Sequence, residues 1–230
     1  GTLYALSEYS GLSIIDISVP DQLQLLGSHR LPGRPFEMYL RDGVVYAMFS
    51  GWGHYVDVGA GGWQWVETSH VEALDVSQAA AVRSLGSFDV PGMLADSRMV
   101  GDVVYVVTFQ DGYCWECNSL PNTTVTSLAV GDASQIGVVD SLTFTDPDDP
   151  WGAWQRSIHV TSDRMYVGNI NWSGDDSTIQ VVDISDPGGD LVLGDSVAVI
   201  GHIESRWQMS EHEGVLRVVS QPWSPNVFPQ

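Results

Sequence analysis

Three sets of side chains in this chain have types and spacing that could do chemistry. The first is acidic. Asp146, Asp148 and Asp149 form a DPDDP run, and Asp175 and Asp176 sit in SGDDS. Oxygen-rich loops of this kind suit calcium, which takes roughly six to eight oxygen ligands in flexible geometry. Neither run has the DxDxDG spacing with a distal glutamate, so solvated aspartate–proline turns are the competing reading. The second set is aromatic. The stretch GWGHYVDVGAGGWQWVETSH places Trp52, Tyr55, Trp63 and Trp65 among glycines, with His54 and His70 at its flanks. Trp115 and Trp172 stand in two later insertions. Such rings stack on sugars or grip a protein partner when exposed; folded back, they would form a private core for a long loop. Two histidines are too few to define a metal site. The third set is Cys114 and Cys117, the only cysteines, in CWEC. No second CxxC accompanies them and no histidine follows, which excludes a four-cysteine zinc site within the chain and a haem attachment motif. A local disulfide is expected, against free thiols or a redox or metal role.

Catalytic signatures are missing from the sequence. It has no GxSxG elbow, no HExxH and no GxGxxG ahead of a helix, and no catalytic residue is assigned. Charge excludes further classes. There are 29 acidic residues against 9 basic ones, a net charge of −20, and every basic residue is arginine. Without lysine there is no phosphate-loop lysine and no Schiff base. Without a basic face, non-specific binding to nucleic acid and docking on anionic lipid are not expected. No apolar run is long enough to span a membrane, and membrane insertion is not expected. Such acidity serves solubility, or a surface that meets cations and basic partners.

The elements that must position these residues announce themselves by repetition. LLGSHRLPG at 25–33 returns as SLGSFDVPG at 84–92. An aromatic strand follows a turn in RDGVVYAMF, VGDVVYVVTF, TSDRMYVGNI and EHEGVLRVVS, so that Tyr46, Tyr105, Tyr166 and Arg217 hold one position. Strand-only units repeating at about 50 residues mean a β-propeller of four-stranded antiparallel blades. The best-preserved unit reads as strands Phe36–Arg41, Val44–Phe49, Val71–Val76 and Ser84–Val90. IIDIS, ALDVS and VVDIS end the third strands, with Asp16, Asp75 and Asp183 capping nearby amides; Ala129 stands at that position in SLAVG. Asp42–Gly43 and Glu213–Gly214 read as hairpin turns, and Gly101–Asp102 as a weaker one. No helix is expected; Val76–Val82 is too short to stand alone.

Counting strands divides the chain into a partial blade at 1–33, blades near 34–92, 93–146 and 147–201, and a partial blade at 202–230. It opens at a second strand, Leu3–Leu6, and its last strand, Leu216–Ser220, is again a second strand. About four and a half blades leave sheet edges open. Either the termini overlap to close a small ring or, as expected here, the remainder comes from another polypeptide or a missing part of the propeller. The long insertions 50–70, 110–124 and 171–178, with the connection 146–154, all fall on one face, where any binding surface is placed. Arg34, Arg98, Arg156 and Arg206 recur near the start of the innermost strands. Salt bridges around the channel, or a ring of guanidinium groups for an anion, would account for them.

The phrases LSIIDIS, LPGRPFEMYLRDGVVYAMFS, VPGMLADSRMVGDVVYVVT and VVSQPW resemble the secreted bacterial β-propeller family distantly related to WD-40 repeats. The resemblance spans nearly the whole chain and implies an exported or surface-anchored propeller. It supplies no catalytic residues. Together these readings predict an extracellular, periplasmic or cell-surface binding or scaffolding module that takes a protein or glycan ligand through its long loops. Two alternatives stand beside it. One is a glycan hydrolase or lyase using carboxylates such as Asp57, Glu67 or Asp96. The other is a structural subunit of an extracellular assembly.

Overall fold

Apolar residues alternate in register on both faces of each central strand here, which demands sheets packed against neighbours on either side. The computed structural model describes residues 1–51, 53–116, 119–145, 157–168 and 176–221. Among them β1 (Thr2–Ser7), β2 (Gly11–Asp16) and β3 (Gln24–His29) form a first sheet. The second is built from β4 (Arg34–Arg41), β5 (Val44–Ser50), β8 (Thr68–Asp75) and β9 (Arg83–Pro91). Between β5 and β8 lies a separate hairpin, β6 (His54–Gly59) and β7 (Gly62–Val66). β10 (Met93–Val100), β11 (Val103–Gln110), β13 (Asn122–Ala129) and β14 (Gly137–Thr145) make the third sheet, with the short β12 (Cys114–Trp115) inside its loop. The fourth has β15 (Ile158–Val160), β16 (Arg164–Gly168), β17 (Asp176–Asp183) and β18 (Val192–Ile200). A fifth sheet holds β19 (Met209–His212) and β20 (Val215–Val218).

Every pairing is antiparallel and, β6, β7 and β12 aside, follows chain order, so each main sheet is a meander. Helix among the described residues is confined to 3-10 turns at Ala79–Ala81 and Arg206–Gln208. The predicted strand bounds of the second unit agree with those observed to within three residues.

Successive sheets stack face to face through four apolar layers. On β5, Val45 and Ala47 face the first sheet and join Leu12, Ile14 and Leu74. Tyr46 and Met48, one residue out of phase, face the third sheet and meet Val104, Val106 and Leu128. β11 repeats the device, sending Val103, Tyr105 and Val107 to Met165, Val167 and Val182 of the fourth. Tyr166 and Ile179 then meet Ile203 and Met209 beside the fifth. This two-sided burial explains the runs VVYAMF and VVYVVTF, which carry no polar face. It is the layered arrangement of propeller blades. The register also extends the tyrosine repeat. Tyr4 lies opposite Ile14 as Tyr46 lies opposite Ala73, so β1 holds a second-strand position, as the sequence predicts.

The turns behave as their residues require. Asp42–Gly43 and Glu213–Gly214 both sit at positive φ (48° and 76°, 52° and 75°), matching the twist of the flanking strands. The strand-ending aspartates accept backbone amides two residues on: Ser18 N to Asp16 at 2.8 Å, Ser77 N to Asp75 at 3.0 Å, Ser185 N to Asp183 at 2.8 Å. In the third sheet, where Ala129 breaks the pattern, Asp132 takes over three residues later and accepts Ser134 N at 2.9 Å. Hydrogen bonds from these serines hold all four carboxyls below the ordinary value. Asp75, which also accepts from Ser77 Oγ and Arg83, is brought down to about 2.

A consequence for acid stability follows. A folded-state pKa below the unfolded one adds stability above the unfolded value, lost as pH falls through the folded value. Urea midpoints should therefore drop between pH 4 and pH 2, from the carboxylate's ordinary 3.8 towards the 2 of Asp75. Asp75→Asn should flatten part of that limb; an unchanged acid limb in the variant would refute the assignment.

Candidate functional site on the long-loop face

In an antiparallel meander, the connections from second to third strand and from fourth to the next first strand emerge at one end. That end carries the elaborations here. The hairpin β6–β7 turns tightly through Gly59, Ala60 and Gly61, all at positive φ. β12, from the loop of the third sheet, pairs with β7, giving a small three-stranded sheet in the order β12-β7-β6 that joins two blades. Trp115 lies opposite Trp63, Asp57 opposite Trp63, and Tyr55 opposite Trp65. With a period of two, those five side chains share one face of the small sheet. Tyr55 and Trp65 meet edge to face at 4.9 Å, while Tyr55, Trp63 and Trp115 remain exposed.

Two cavities open at this end. A groove of about 830 Å³ is lined by Tyr9, Arg34, Phe36, Trp65, Glu67 and Met93, among others. A pocket of about 360 Å³ lies where the first strands of successive sheets converge, lined by Phe36, Glu37, Asp96, Ser157, Arg206 and Trp207, with Glu204 at its edge. Phe36 belongs to both, so the groove and the axial pocket adjoin. Tyr9, 91% exposed, and Trp207, 83% exposed, stand at the groove and the pocket respectively.

The polar floor of the pocket crosses three sheets. Asp96, only 8% exposed, accepts Arg206 Nη1 at 2.8 Å and Ser97 N at 2.9 Å. Ser97 Oγ donates to Glu37 Oε2 at 2.5 Å, and the Tyr39 hydroxyl donates to the same oxygen at 3.1 Å. Burial pushes the Asp96 carboxyl up, against the pull of the Ser97 amide and Arg206; the negative charge of Glu37 adds to the rise. Burial also pushes the Tyr39 hydroxyl up to about 12, so it stays a donor throughout the physiological range. The Arg206 guanidinium lies over the Trp207 ring at 5.2 Å. Ser205 caps the short turn that sets both side chains, accepting Trp207 N at 3.3 Å.

The residues singled out from sequence are distributed as follows. Tyr55, Trp63, Trp65 and Trp115 come together on the small sheet. His54 lies on β6 with its side chain exposed, while His70 stacks on Phe49 at 5.1 Å and contacts Asp89 through Nδ1 at 2.5 Å. Arg34 opens β4 beside the groove, Arg98 stands sixth in β10, and Arg206 precedes β19. Of the three carboxylates, Asp96 lines the axial pocket and Glu67 the groove, while Asp57 is taken up by the hairpin turn, accepting Gly59 N at 2.8 Å. Asp176 begins β17, exposed. Trp52, Cys117, Asp146, Asp148, Asp149, Arg156, Trp172 and Asp175 lie outside the described residues. Among those described, no cysteine is free and no three His, Cys, Asp or Glu side chains converge as a metal site.

Sequence reasoning missed Phe36, Glu37, Tyr39, Ser97, Trp207 and Tyr9. A signal for Glu37 existed: a charged residue inside the apolar strand PFEMYL, close to the inner end of a blade. Comparison with known proteins adds one family. The model of the Beta propeller domain matches residues 1–143, well over half of the chain. No curated protein matches. The successive antiparallel sheets and this match agree, and the chain belongs to the beta propeller domain family.

Proposed function

We propose that this chain is an exported or cell-surface binding module that engages an extended protein or glycan ligand across its long-loop face. One observation carries the reading: two adjoining cavities, sharing Phe36 and flanked by exposed aromatic rings, open at the elaborated end of the blades. Concave, partly apolar surfaces with a few convergent polar groups are the usual form of a ligand site. In this reading a Cys114–Cys117 disulfide pins the loop that supplies β12, and calcium orders the acidic loops around Asp146, Asp148, Asp149, Asp175 and Asp176. Further strands, from another polypeptide or the rest of the propeller, cover the edges at β1 and β20. As a subunit of a larger extracellular assembly the chain would use these same edges.

The enzymatic alternative, a glycan hydrolase or lyase, draws support from Asp96, a nearly buried carboxyl in the axial pocket held above its ordinary pKa.

A single experiment separates these readings. The protein is applied to a glycan array and to a randomised peptide library, with and without EGTA, and the eluates are examined by mass spectrometry for cleavage products. Retained ligands should be lost in Tyr9→Ala and Phe36→Ala, both of which leave the core untouched. Retention unchanged in both variants sinks the loop-face reading. Cleaved glycans that vanish with Asp96→Asn establish the enzyme instead, and binding indifferent to EGTA removes calcium from the site.

A further inference from the structure

The axial pocket has an unbalanced charge. Asp96 is paired with Arg206, and the nearby Arg98 charge also acts on Asp96 and Tyr39, but the Glu37 carboxylate has only hydroxyl donors, Ser97 and Tyr39, and no cation of the described residues lies within ion-pair distance of it. Exposed Glu204 adds a second charge in the lining, with no ion pair to a cation of the described residues. A half-buried carboxylate without a counterion is costly, and a cation arriving in the pocket recovers that cost. The walls suit the same guest. Exposed Phe36 and Trp207 line the pocket, and Trp207 already carries a guanidinium, that of Arg206, at 5.2 Å. Anionic ligands meet net negative charge here, and a neutral sugar would leave Glu37 unbalanced. The remaining chemistry is a cation on a flexible stem.

We propose that the axial pocket seats the side chain of a lysine or arginine presented by a basic segment of a partner protein. The ammonium or guanidinium meets Glu37, the stem passes between Phe36 and Trp207, and flanking residues lie along the adjoining groove. Continuity of the pocket with a groove of about 830 Å³ favours a peptide segment over a free amine, because the groove has room for neighbouring residues. The chain's charge of −20 favours encounter with such a partner and makes its rate depend on salt. This inference rests on the loop-face reading and narrows its ligand.

The test uses nonapeptide pools with randomised flanks and a central Lys, Arg, norleucine or Glu, together with putrescine as a free amine. Binding to the whole chain is measured by fluorescence anisotropy. The Lys and Arg pools should bind about tenfold tighter than the norleucine pool, and the Glu pool should be weakest. Glu37→Gln keeps the acceptor for Ser97 and Tyr39 and should abolish the preference for Lys over norleucine. Trp207→Ala, at an exposed ring, should weaken Lys and Arg binding while leaving the melting temperature unchanged. Equal binding of Lys and norleucine pools overturns the inference, as does a preference that survives Glu37→Gln. Putrescine binding as tightly as the Lys pool overturns the protein partner. If all pools bind alike and all are weakened by Tyr9→Ala, the loop-face reading stands and only the cationic guest falls.

Discussion

Tyr105→Ala should destabilise the protein by about 4 kcal/mol, measured as the loss of unfolding free energy in urea followed by tryptophan fluorescence. Tyr105 is 1% exposed and lies in the layer between the third and fourth sheets, against Val103, Val107, Met165 and Val182. Its neighbours belong to β-strands held by ladders on both sides, so they cannot collapse into the space left by the ring. The cost is therefore a lost transfer free energy plus a cavity. Arg217 provides the internal control. It holds the same repeat position in the fifth sheet, opposite Ser210 as Tyr105 is opposite Arg98, yet its side chain is exposed. Arg217→Ala should change stability by less than about 0.5 kcal/mol. A Tyr105→Ala loss below about 1.5 kcal/mol would show that the layer relaxes and that the rigid-layer argument is wrong.

The contrast between those two residues also shows what the sequence revealed. The repeat exposed the strand positions, and the period-two apolar pattern on both faces exposed the stacking, because both are local and each is stated several times. Burial was less legible. Tyr46, Tyr105, Tyr166 and Arg217 share a register, but only the presence of a following sheet distinguishes a core tyrosine from a surface arginine. The small sheet was harder still. β12 is two residues long, and its partner β7 lies some fifty residues earlier, so no propensity or spacing announces the pairing. The pairing of Glu37 with Ser97 was hidden for the same reason. Glu37 stands out as a charge in an apolar strand, but Ser97 does not, and only the packing of β4 beside β10 brings them to 2.5 Å. The acidic loops are a different case, since Asp146, Asp148, Asp149 and Asp175 lie outside the described residues.

The repeated glycine of LLGS and SLGS was visible as a repeat but its cause was not, and it yields the second large effect. Outer strands bulge against third strands at Ile14/Ile15, Ala73/Leu74 and Ser127/Leu128, and the residue past each bulge faces the next sheet. At Gly27 an added Cβ would lie 1.7 Å from the Ala79 carbonyl oxygen, in the 3-10 turn between β8 and β9. At Gly86 it would lie 2.9 Å from the Ala133 carbonyl oxygen of the following blade. The third sheet solves the same junction differently: Asp140 occupies the position and its carboxylate accepts Leu191 N at 3.0 Å.

The glycines at these junctions allow backbone of one blade to touch backbone of the next, and neither sits at positive φ. The penalty for alanine is thus steric, and it should scale with the overlap. Gly27→Ala should cost about 3 kcal/mol and Gly86→Ala about 1 kcal/mol. Gly137→Ala, where a Cβ meets nothing within 4 Å, should be neutral or stabilising by about 0.5 kcal/mol. Because each sheet packs on its neighbours, the Gly27 effect should also be local. Hydrogen exchange should accelerate in β1–β3 while β16 and β17 keep their protection. A Gly27→Ala protein as stable as Gly137→Ala would mean that the first sheet does not press on the Ala79 turn. Uniform acceleration across all sheets would mean instead that the blades unfold as one unit, and that no junction can be loosened alone.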